Sequence, residues 1–520
     1  MNKYNTPLCN NKMKFEDCEL AILRQAVDES ETIQAKKTVM NDDVKTIILI
    51  LENFLQRKPL ICYGGTAINN ILPKYDQFYN RELEIPDYDF YSKNALDDAI
   101  ELANIYADAG YKEVEAKSGM HHGTYKVFVN FIPIADITYL HEDIFDTLYK
   151  NAIKVAGIKY APANFLRMNM YLELSRPMGD VSRWEKVFKR LSLLNKHYPV
   201  NPAVNCDKVM FQKKMEDETI QSIINKDSVS KSKSFLNLSS EKVEENIHVI
   251  IRNTLISLGV VFIGGYACSL YSEYMPEKEK RKVEKTADFD VISDDIDRCA
   301  MIVKEQLENK VKEKIMLIEH AEISEIIPRN IEIKIGEDSV AFIYEPIACH
   351  SYNIIEVDQK EINIASIDTL LSFYLAFLYS KKDYYKNKEK IMCMAMFLFD
   401  VQQRNRLSQK GLLKRFSINC YGKQKSLEDI RTEKAEKYKE LLSKKNTPEY
   451  EEWFLKYNPN DKRKNIKVQD LKKVAKEIVL SPDLEKKKAR NKKTTRKDSK
   501  KRKPTKKDSK KRKTIQNFIF

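Results

Sequence analysis

The chain has 520 residues, of which 42% are hydrophobic, so it is long and apolar enough to build two or three domains with buried cores. Its formal net charge of +14 is concentrated near one end, because Lys486–Lys513 carries 18 Lys and Arg residues against two Asp. That stretch has a net charge of +16 and leaves the remainder near −2, which argues against a basic protein body.

No apolar run approaches the ~20 residues of a membrane span, and the N-terminal residues lack the apolar core of a signal peptide. We therefore expect no membrane partner. The nine cysteines form no Cys-x-x-Cys pair, so the sequence predicts neither a structural zinc site nor a disulfide framework. Reduced thiols in a cytosol-like compartment are the expectation.

A glycine pair follows the first predicted strand. Residues 15–56 have the apolar periodicity of helices, and the apolar run Leu60–Tyr63 then ends at Gly64-Gly65. Thr66 begins another helical segment. Two glycines after a strand allow backbone N–H groups to approach a phosphate with no Cβ between them. We predict that Gly64, Gly65 and Thr66 bind the phosphates of a nucleotide.

Acidic residues follow in the next two strand-like stretches. Asp87 and Asp89 are two residues apart on one strand and therefore point to the same face, where their charges repel unless a cation neutralises them. Beyond a predicted helix at 95–109 and a strand at 125–129, Asp136 interrupts an apolar strand at 131–140. A buried Asp is costly unless it is paired or bound to metal, although capping a turn or pairing with Arg or Lys remains an alternative.

Three carboxylates on adjacent strands match the requirements of a two-metal nucleotidyl transfer. One ion would be held by Asp87, Asp89 and Asp136, and the second by Asp87, Asp89 and the phosphates. Helices are predicted at 163–174 and 184–194. The second helix and the residue before it carry cations that either hold a triphosphate or RNA or form a solvated basic face, namely Arg183, Lys186, Lys189 and Arg190. His121-His122 fits a polar turn and receives no metal role.

The same order of features returns about two hundred residues later. After a polar connector at 201–242 come a helix at 243–258, a strand at 260–263, Gly264-Gly265 and the acidic pair Asp288/Asp290. Aligning Pro346–Cys349 with Pro133–Asp136 places Cys349 where the first copy has its third carboxylate. The bulkier Tyr266 replaces Thr66. We predict that Gly264, Gly265, Asp288, Asp290 and Cys349 form a degenerate, inactive second site.

These features divide the chain into five segments. A catalytic domain at 1–200 is followed by a linker at 201–242, a degenerate domain at 243–410, a charged helical segment at 411–483 and a basic tail at 484–520. In the tail, RKDSKKRK at 496–503 recurs as KKDSKKRK at 506–513, so we expect disorder. Contact with nucleic acid is the favoured role, and a nuclear-import signal or a solubilising extension are the alternatives.

The motifs CYGGTAIN, PDYDFYS and IPIADIT resemble the DNA polymerase β-like nucleotidyltransferases, and within them the poly(A) polymerase catalytic subunits of poxviruses and giant viruses. The resemblance covers residues 45–195 well and 245–400 more loosely. It implies an α+β fold of two tandem nucleotidyltransferase-like domains, each a mixed sheet with flanking helices. One departure is that cellular relatives commonly have Gly-Ser in place of Gly64-Gly65.

The resemblance also implies an activity: template-independent polyadenylation of viral mRNA, in which AMP passes from ATP to a 3′-hydroxyl with Mg²⁺ or Mn²⁺ as two bound ions. It implies the host cytoplasm, at the viral factory, as the location, with packaging in the virion and a homodimer as further hypotheses. Two alternatives stay open. One is a related template-independent enzyme of the CCA-adding or oligoadenylate type, and the other is a non-catalytic RNA-binding or assembly scaffold.

Overall fold

The computed structural model describes most of the chain up to residue 460. The described residues are 7–9, 12–39, 41–200, 206, 240–276, 289–308, 310–311, 313–357, 359–382, 385, 387–445 and 447–460. Asp288 and the basic tail at 484–520 lie outside these residues, as does most of the predicted linker. Met1–Asn458 forms one compact unit, and the second unit, Pro459–Phe520, is described only at its first two residues.

Helices and strands alternate along the described part of the chain. The helices are α1 Phe15–Val39, α2 Asp42–Arg57, α3 Gly64–Ile71, α4 Ala95–Asp108, α5 Glu142–Asn151, α6 Ala163–Leu174, α7 Trp184–His197, α8 Ser240–Ser257, α9 Gly264–Tyr271, α10 Ile296–Glu308, α11 Ile367–Phe377, α12 Lys388–Arg404, α13 Leu427–Leu441 and α14 Pro448–Phe454. The strands are β1 Ile61–Tyr63, β2 Tyr88–Ser92, β3 Val114–Ser118, β4 Thr124–Val129, β5 Ile132–Tyr139, β6 Ile153–Val155, β7 Ile158–Tyr160, β8 Val261–Phe262, β9 Phe289–Ile292, β10 Ile315–His320, β11 Asn330–Ile335, β12 Asp338–Tyr344, β13 His350–Val357, β14 Lys360–Ala365, β15 Cys420–Tyr421 and β16 Lys456–Tyr457.

The first half folds around a mixed sheet in the order β16-β3-β4-β5-β2-β1-β7-β6. β2 runs parallel to β5 and antiparallel to β1, so these three strands form its centre. Phe90, Val127 and Ile137 are fully buried there. α2 covers the sheet because its apolar residues recur at helical spacing, with Ile47, Leu51 and Phe54 all buried. Its first turn is capped by Asn41, whose side chain accepts from the amide of Asp43.

The second half repeats this topology. Its sheet has the order β10-β11-β12-β9-β8-β14-β13-β15, and β9 again runs parallel to β12 and antiparallel to β8. A shift in strand register also occurs in both halves. The β4–β5 register shifts at Val127/Phe128, and the β11–β12 register shifts at Ile333/Lys334. The α+β fold with two tandem mixed sheets, predicted from the repeated motifs, is confirmed.

The two halves pack against each other. α6 packs against α11, and the amide of Ser351 in the second half donates to the carbonyl of Ser175 in the first. Near the other end of the chain, β16 returns to the first sheet, where Lys456 lies opposite Lys117 of β3. The predicted domain boundaries at 200, 242, 410 and 483 remain predictions. No described helix has the length and apolar character needed to cross a membrane.

The expectation of reduced thiols is wrong for six of the nine cysteines. Disulfides join Cys9 to Cys18, Cys206 to Cys393, and Cys349 to Cys420, with Cα–Cα distances of 5.3, 5.6 and 5.2 Å. Such distances suit a disulfide, but two of the pairs are far apart in the chain and their proximity arises only from the tertiary fold. The remaining three, Cys62, Cys268 and Cys299, are free and buried.

Removing the Phe90 ring tests the assignment of the first core. Because Phe90 is fully buried, Phe90→Ala should lower the free energy of unfolding by about 3–5 kcal/mol through lost burial and a new cavity. Phe131→Ala is the matched control, since Phe131 is 81% exposed and its truncation should change stability by less than about 0.5 kcal/mol. Urea unfolding followed by circular dichroism measures both, and equal losses would contradict the assignment.

Candidate active site

The glycine pair begins α3 directly at the end of β1. Gly64 has φ = +72°, a left-handed conformation that disfavours side chains, and Tyr63 supplies no side-chain cap to the helix. The first amides of α3 are therefore available to an outside acceptor. A Cβ on Gly64 would lie 3.2 Å from Cγ of Asp89, so only glycine allows the helix to start this close to the carboxylate.

Arg190 lies against the second glycine. A Cβ on Gly65 would fall 2.5 Å from the Tyr79 hydroxyl and 3.0 Å from Nη1 of Arg190. The guanidinium donates to that hydroxyl at 2.6 Å and stacks 5.0 Å from the centroid of Phe78. This places a fixed positive charge beside the helix start, where a phosphate would lie.

Asn69 holds the loop that carries these aromatic residues. Its buried side-chain oxygen accepts the amides of Phe78 and Tyr79 at 2.8 and 2.9 Å. The sequence alone predicts no role for Asn69, because a helical Asn is unremarkable until its partner loop is known. Through Tyr79, the residue positions Arg190.

The Thr66 side chain makes a contact within the protein, and the predicted nucleotide-binding role of Thr66 remains a prediction. Its side chain is only 3% exposed, and its hydroxyl donates to the backbone carbonyl of Asp87 at 2.5 Å. The hydroxyl therefore ties α3 to the segment that carries the carboxylates and is not directed at a ligand. Of Thr66, the backbone N–H alone can contribute to phosphate binding.

The structure brings the three predicted carboxylates together. Asp89 of β2 lies directly opposite Asp136 of the parallel strand β5, and Asp87 precedes Asp89 by two residues at the start of the same strand. On the other side of β5, Lys126 of β4 lies opposite Asp136, and its ammonium donates to the Asp136 carboxylate. The alternation of polar and apolar residues in TYKVFV is the signal that could have placed Lys126 on this face.

The carboxylates perturb one another. Burial, followed by the charges of Asp87 and Asp136, raises the pKa of Asp89 to about 7. Desolvation and the Asp136 charge likewise raise the pKa of Asp87, while Lys126 and Lys186 oppose that shift. Such a cluster stores repulsion that a bound cation would relieve.

The residues fit a divalent cation in chemistry and location. All three supply hard oxygen ligands, the kind that Mg²⁺ and Mn²⁺ prefer, and Lys126 already places a positive charge on Asp136. In the observed side-chain arrangement, however, no three acidic, His or Cys groups among the described residues close around one point. In this arrangement Asp136 is paired with Lys126.

Among the four cations singled out in the sequence, three act on this site. Arg190 contacts the glycine loop, and Lys186 lies near enough to Asp87 to lower its pKa. Arg183 pairs with Glu173 at 3.1 Å and its charge also opposes the raised pKa of Asp89. Lys189 pairs with Glu185 at 2.6 Å. The basic helix thus divides into a side facing the site and a solvated side.

The second half has a different set of groups at the matching positions. The residue opposite Asp290 is Phe342, so the alignment of Cys349 with Asp136 is wrong; Cys349 lies just before β13 and forms a disulfide with Cys420. Phe342 lies within β12, whereas Cys349 lies in the loop that follows this strand, and the repeated Pro-Ile-Ala letters concealed this. Asp288 lies outside the described residues.

Tyr266 fills the space that follows the second glycine pair. Its ring packs 5.0 Å from Phe262 and 5.5 Å from Phe289, and Gly264 and Gly265 are both buried. Where the first half has Lys126, the second has Glu332, which binds His320 at 2.9 Å. One carboxylate, an aromatic neighbour and a buried helix start do not reproduce the first site.

The raised pKa of Asp89 predicts a pH dependence of stability in the metal-free protein. Since the folded-state pKa of about 7 exceeds the ordinary value of 3.8, the folded state retains a proton that the unfolded state loses. Stability should therefore fall as pH rises from about 4 to about 7. Asp89→Asn should remove that slope, whereas Asp97→Asn, at an exposed site, should keep it. Urea unfolding at several pH values in EDTA measures the slope, and identical slopes in all three proteins would contradict the prediction.

Comparison with known proteins finds matches to the same family that the sequence motifs resemble. Residues 49–180 match the family model of the poly(A) polymerase catalytic subunit. A proposed poly(A) polymerase catalytic subunit of Acanthamoeba polyphaga mimivirus is 32% identical over 209 residues, or 38% of this chain and 34% of the relative. The corresponding protein of an African swine fever virus isolate is 32% identical over 179 residues, or 34% of this chain and 38% of the relative.

The matched stretches thus span about a third of these relatives. The crystal structure of the Megavirus polyadenylate synthase superposes with a TM-score of 0.70 and covers 91% of this chain and 92% of its own, at 19% identity. That likeness concerns the fold. Residues 49–180, which hold the glycine pair and all three carboxylates, therefore match the viral poly(A) polymerase catalytic subunits, and the resemblance predicted from the sequence is confirmed over that range.

Proposed function

We propose that the protein is a template-independent polynucleotide adenylyltransferase that transfers AMP from ATP to the 3′-hydroxyl of viral mRNA and releases pyrophosphate. The observation that carries the proposal is the placement of Asp89 opposite Asp136, within contact distance of a glycine-initiated helix. The family match over residues 49–180 supports it. The host cytoplasm is the proposed location.

Asp87, Asp89 and Asp136 are the proposed ligands of two Mg²⁺ or Mn²⁺ ions. Such ions, when bound, lower the pKa of the attacking hydroxyl and neutralise the leaving pyrophosphate. The cluster's own electrostatics favour this role, since burial and two neighbouring carboxylates raise the pKa of Asp89 to about 7. Lys126 acts as the resident counter-charge and must release Asp136 when the site is loaded.

The remaining groups orient the triphosphate. Amides at the start of α3 donate to phosphate oxygens, and the absence of a Cβ at Gly64 and Gly65 lets the phosphates reach them. Arg190 supplies a fixed cation beside Gly65, and Asn69 and Tyr79 hold that cation in place. Thr66 fixes the Asp87 segment relative to the helix, so the phosphate and metal subsites keep their spacing.

A CCA-adding or oligoadenylate-forming enzyme would use the same carboxylates, so the choice of adenine rests on the family match alone. A non-catalytic scaffold is the weaker alternative. In that case nothing would maintain three repelling carboxylates in one half. The second half illustrates the same fold with Phe342 at the position of Asp136 and Tyr266 at the position of Thr66.

Substitution of a carboxylate tests the proposal. Asp89→Asn and Asp136→Asn should each reduce extension of a 3′-hydroxyl RNA on the order of 10³-fold or more, because each removes a metal ligand. Asp290→Asn, at the matching position of the second half, is the control and should retain activity. The assay supplies Mg²⁺ or Mn²⁺ with each NTP separately, and products are resolved on a gel.

Extension of the RNA when ATP, but no other NTP, is supplied supports polyadenylation. Ordered addition of C and A supports the CCA-adding alternative, and extension without RNA supports the oligoadenylate alternative. An active Asp89→Asn protein, or an Asp290→Asn protein as inactive as the Asp89 variant while folded, would overturn the assignment of the site to the first half.

Arg190→Ala should raise the KM for ATP about tenfold or more, the effect expected when one charge-assisted hydrogen bond to a phosphate is lost. Lys189→Ala is the matched control on the same helix, since Lys189 is exposed and pairs with Glu185. Tyr79→Phe separates the two roles of the contact, because it removes the hydroxyl and keeps the cation. If Tyr79→Phe raised KM as much as Arg190→Ala, Arg190 would act by anchoring the loop and not by binding phosphate.

A further inference from the structure

A cavity of about 250 Å³ lies between α7 of the first half and α12 of the second. Its lining includes three cations, Lys196, Arg406 and Arg415, and no carboxylate from the described part of the chain lines it. Two phenylalanines, Phe188 and Phe399, contribute apolar surface. The volume is close to the lower limit of roughly 300 Å³ for small-molecule pockets, which suits one nucleotide unit and not a longer ligand.

Arg415 is built into the floor of this cavity. Its side chain is 11% exposed and forms a bidentate ion pair with the fully buried Asp368, through Nε at 2.8 Å and Nη2 at 2.8 Å. Gln402 donates to the same carboxylate at 3.2 Å. Among the described residues Nη1 of Arg415 has no hydrogen-bond acceptor, so the two N–H groups of this nitrogen are left for a ligand on a rigidly held guanidinium.

The neighbouring polar groups are fixed in the same way. Gln402 also accepts from the Tyr171 hydroxyl at 3.1 Å, which links α12 to α6. Asn195, in the cavity lining, accepts from Nε of Arg167 at 2.7 Å, and Arg167 is fully buried. A buried network that spans both halves therefore sets the position of the lining before any ligand arrives.

Arg406 provides the exposed positive charge. It lies just beyond the end of α12 and makes no ion pair with any described residue, unlike Lys196, which pairs with Asp76 at 2.6 Å. Since Asp368 balances Arg415 and Asp76 balances Lys196, the charge that remains uncompensated at the cavity is that of Arg406. An anion is thus the complementary ligand.

The apolar surface lies beside the cations. Phe188 is in the lining, and the guanidinium carbon of Arg415 lies 5.4 Å from its ring centroid. Phe399 lines the same cavity from α12. The two aromatic rings offer stacking surface for a nucleobase. The Ser192 hydroxyl and the Gln403 amide offer hydrogen-bond partners, and the cations offer contacts for a phosphate.

The cavity is separate from the carboxylate site. Phe188, Leu191, Ser192 and Asn195 recur at helical spacing on one side of α7, whereas Lys186 and Arg190 lie on the other. Arg190 faces the glycine pair. One helix thus has the proposed triphosphate contacts on one face and this cavity on the opposite face.

We propose that the cavity between α7 and α12 binds a single phosphorylated nucleoside unit, with the base against Phe188 and Phe399 and the phosphate on Arg406 and Nη1 of Arg415. This site goes beyond the proposed catalytic function and does not depend on it. The unit is either a free nucleoside monophosphate or one residue of a bound RNA strand, and both share the chemistry that the lining recognises.

Binding measured by isothermal titration calorimetry on the full chain tests the proposal. The titrations use AMP in one arm and a short oligonucleotide RNA in the other, with EDTA present so that the carboxylate site lacks divalent cations. Arg406→Ala should weaken binding about tenfold or more, as expected for one charge-assisted phosphate contact. Arg404→Ala removes the same charge from an exposed position two residues away and should leave the Kd within about twofold.

Ser192→Phe provides a second variant that fills the cavity without changing charge, and its thermal unfolding reports whether the fold is kept. Loss of AMP binding in both Arg406→Ala and Ser192→Phe supports the free mononucleotide as ligand. Binding of RNA alone, weakened by the same two variants, supports the RNA residue. Absence of binding in both arms, or equal affinities for Arg406→Ala and Arg404→Ala, would overturn the proposal.

Discussion

The close approach between the start of α3 and the carboxylate strand β2 determines the geometry of the candidate site. A helix that began with any side chain would be displaced by Asp89, because a Cβ on Gly64 would meet that carboxylate. The Thr66 hydroxyl then fastens the helix to the carbonyl of Asp87 from inside the protein. Together, one missing Cβ and one hydrogen bond set the distance between the exposed amides and the three acids. Phosphate and metal chemistry require that distance to be fixed before the substrate arrives.

The duplicated half shows how that geometry can persist without its chemistry. Gly264 lies even closer to Asp290 than Gly64 does to Asp89, and the strand order is the same apart from the edge strands β16 and β15. Yet Phe342 lies opposite Asp290, and Tyr266 packs into the space beyond the glycines. The fold therefore preserves the close approach of helix and strand for its own packing. The functional difference depends on the few side chains that this packing does not constrain.

Much of this arrangement was predictable from the sequence, since strand alternation and the glycine pairs are local signals. The helices predicted at 95–109 and 163–174 follow from apolar periodicity, and the matching order of elements in the second half follows from the repeat. Features that depend on distant segments were not predictable. Lys126 and Arg190 acquire their positions from strand register and helix docking, and three disulfides join cysteines whose spacing carries no signal. The alignment of Cys349 with Asp136 is wrong because a recurring tripeptide does not establish an equivalent position, since register is set by the pairing of β9 with β12.

The strand β16 has a consequence for how the two halves depend on each other. It comes from the last described part of the chain, but it pairs with β3 at the margin of the first sheet. A fragment of the first half by itself would leave β3 with unsatisfied backbone groups along one side, which invites pairing with other chains. The first sheet therefore stays incomplete until the second half has been synthesised, because its outer strand follows that half in the chain.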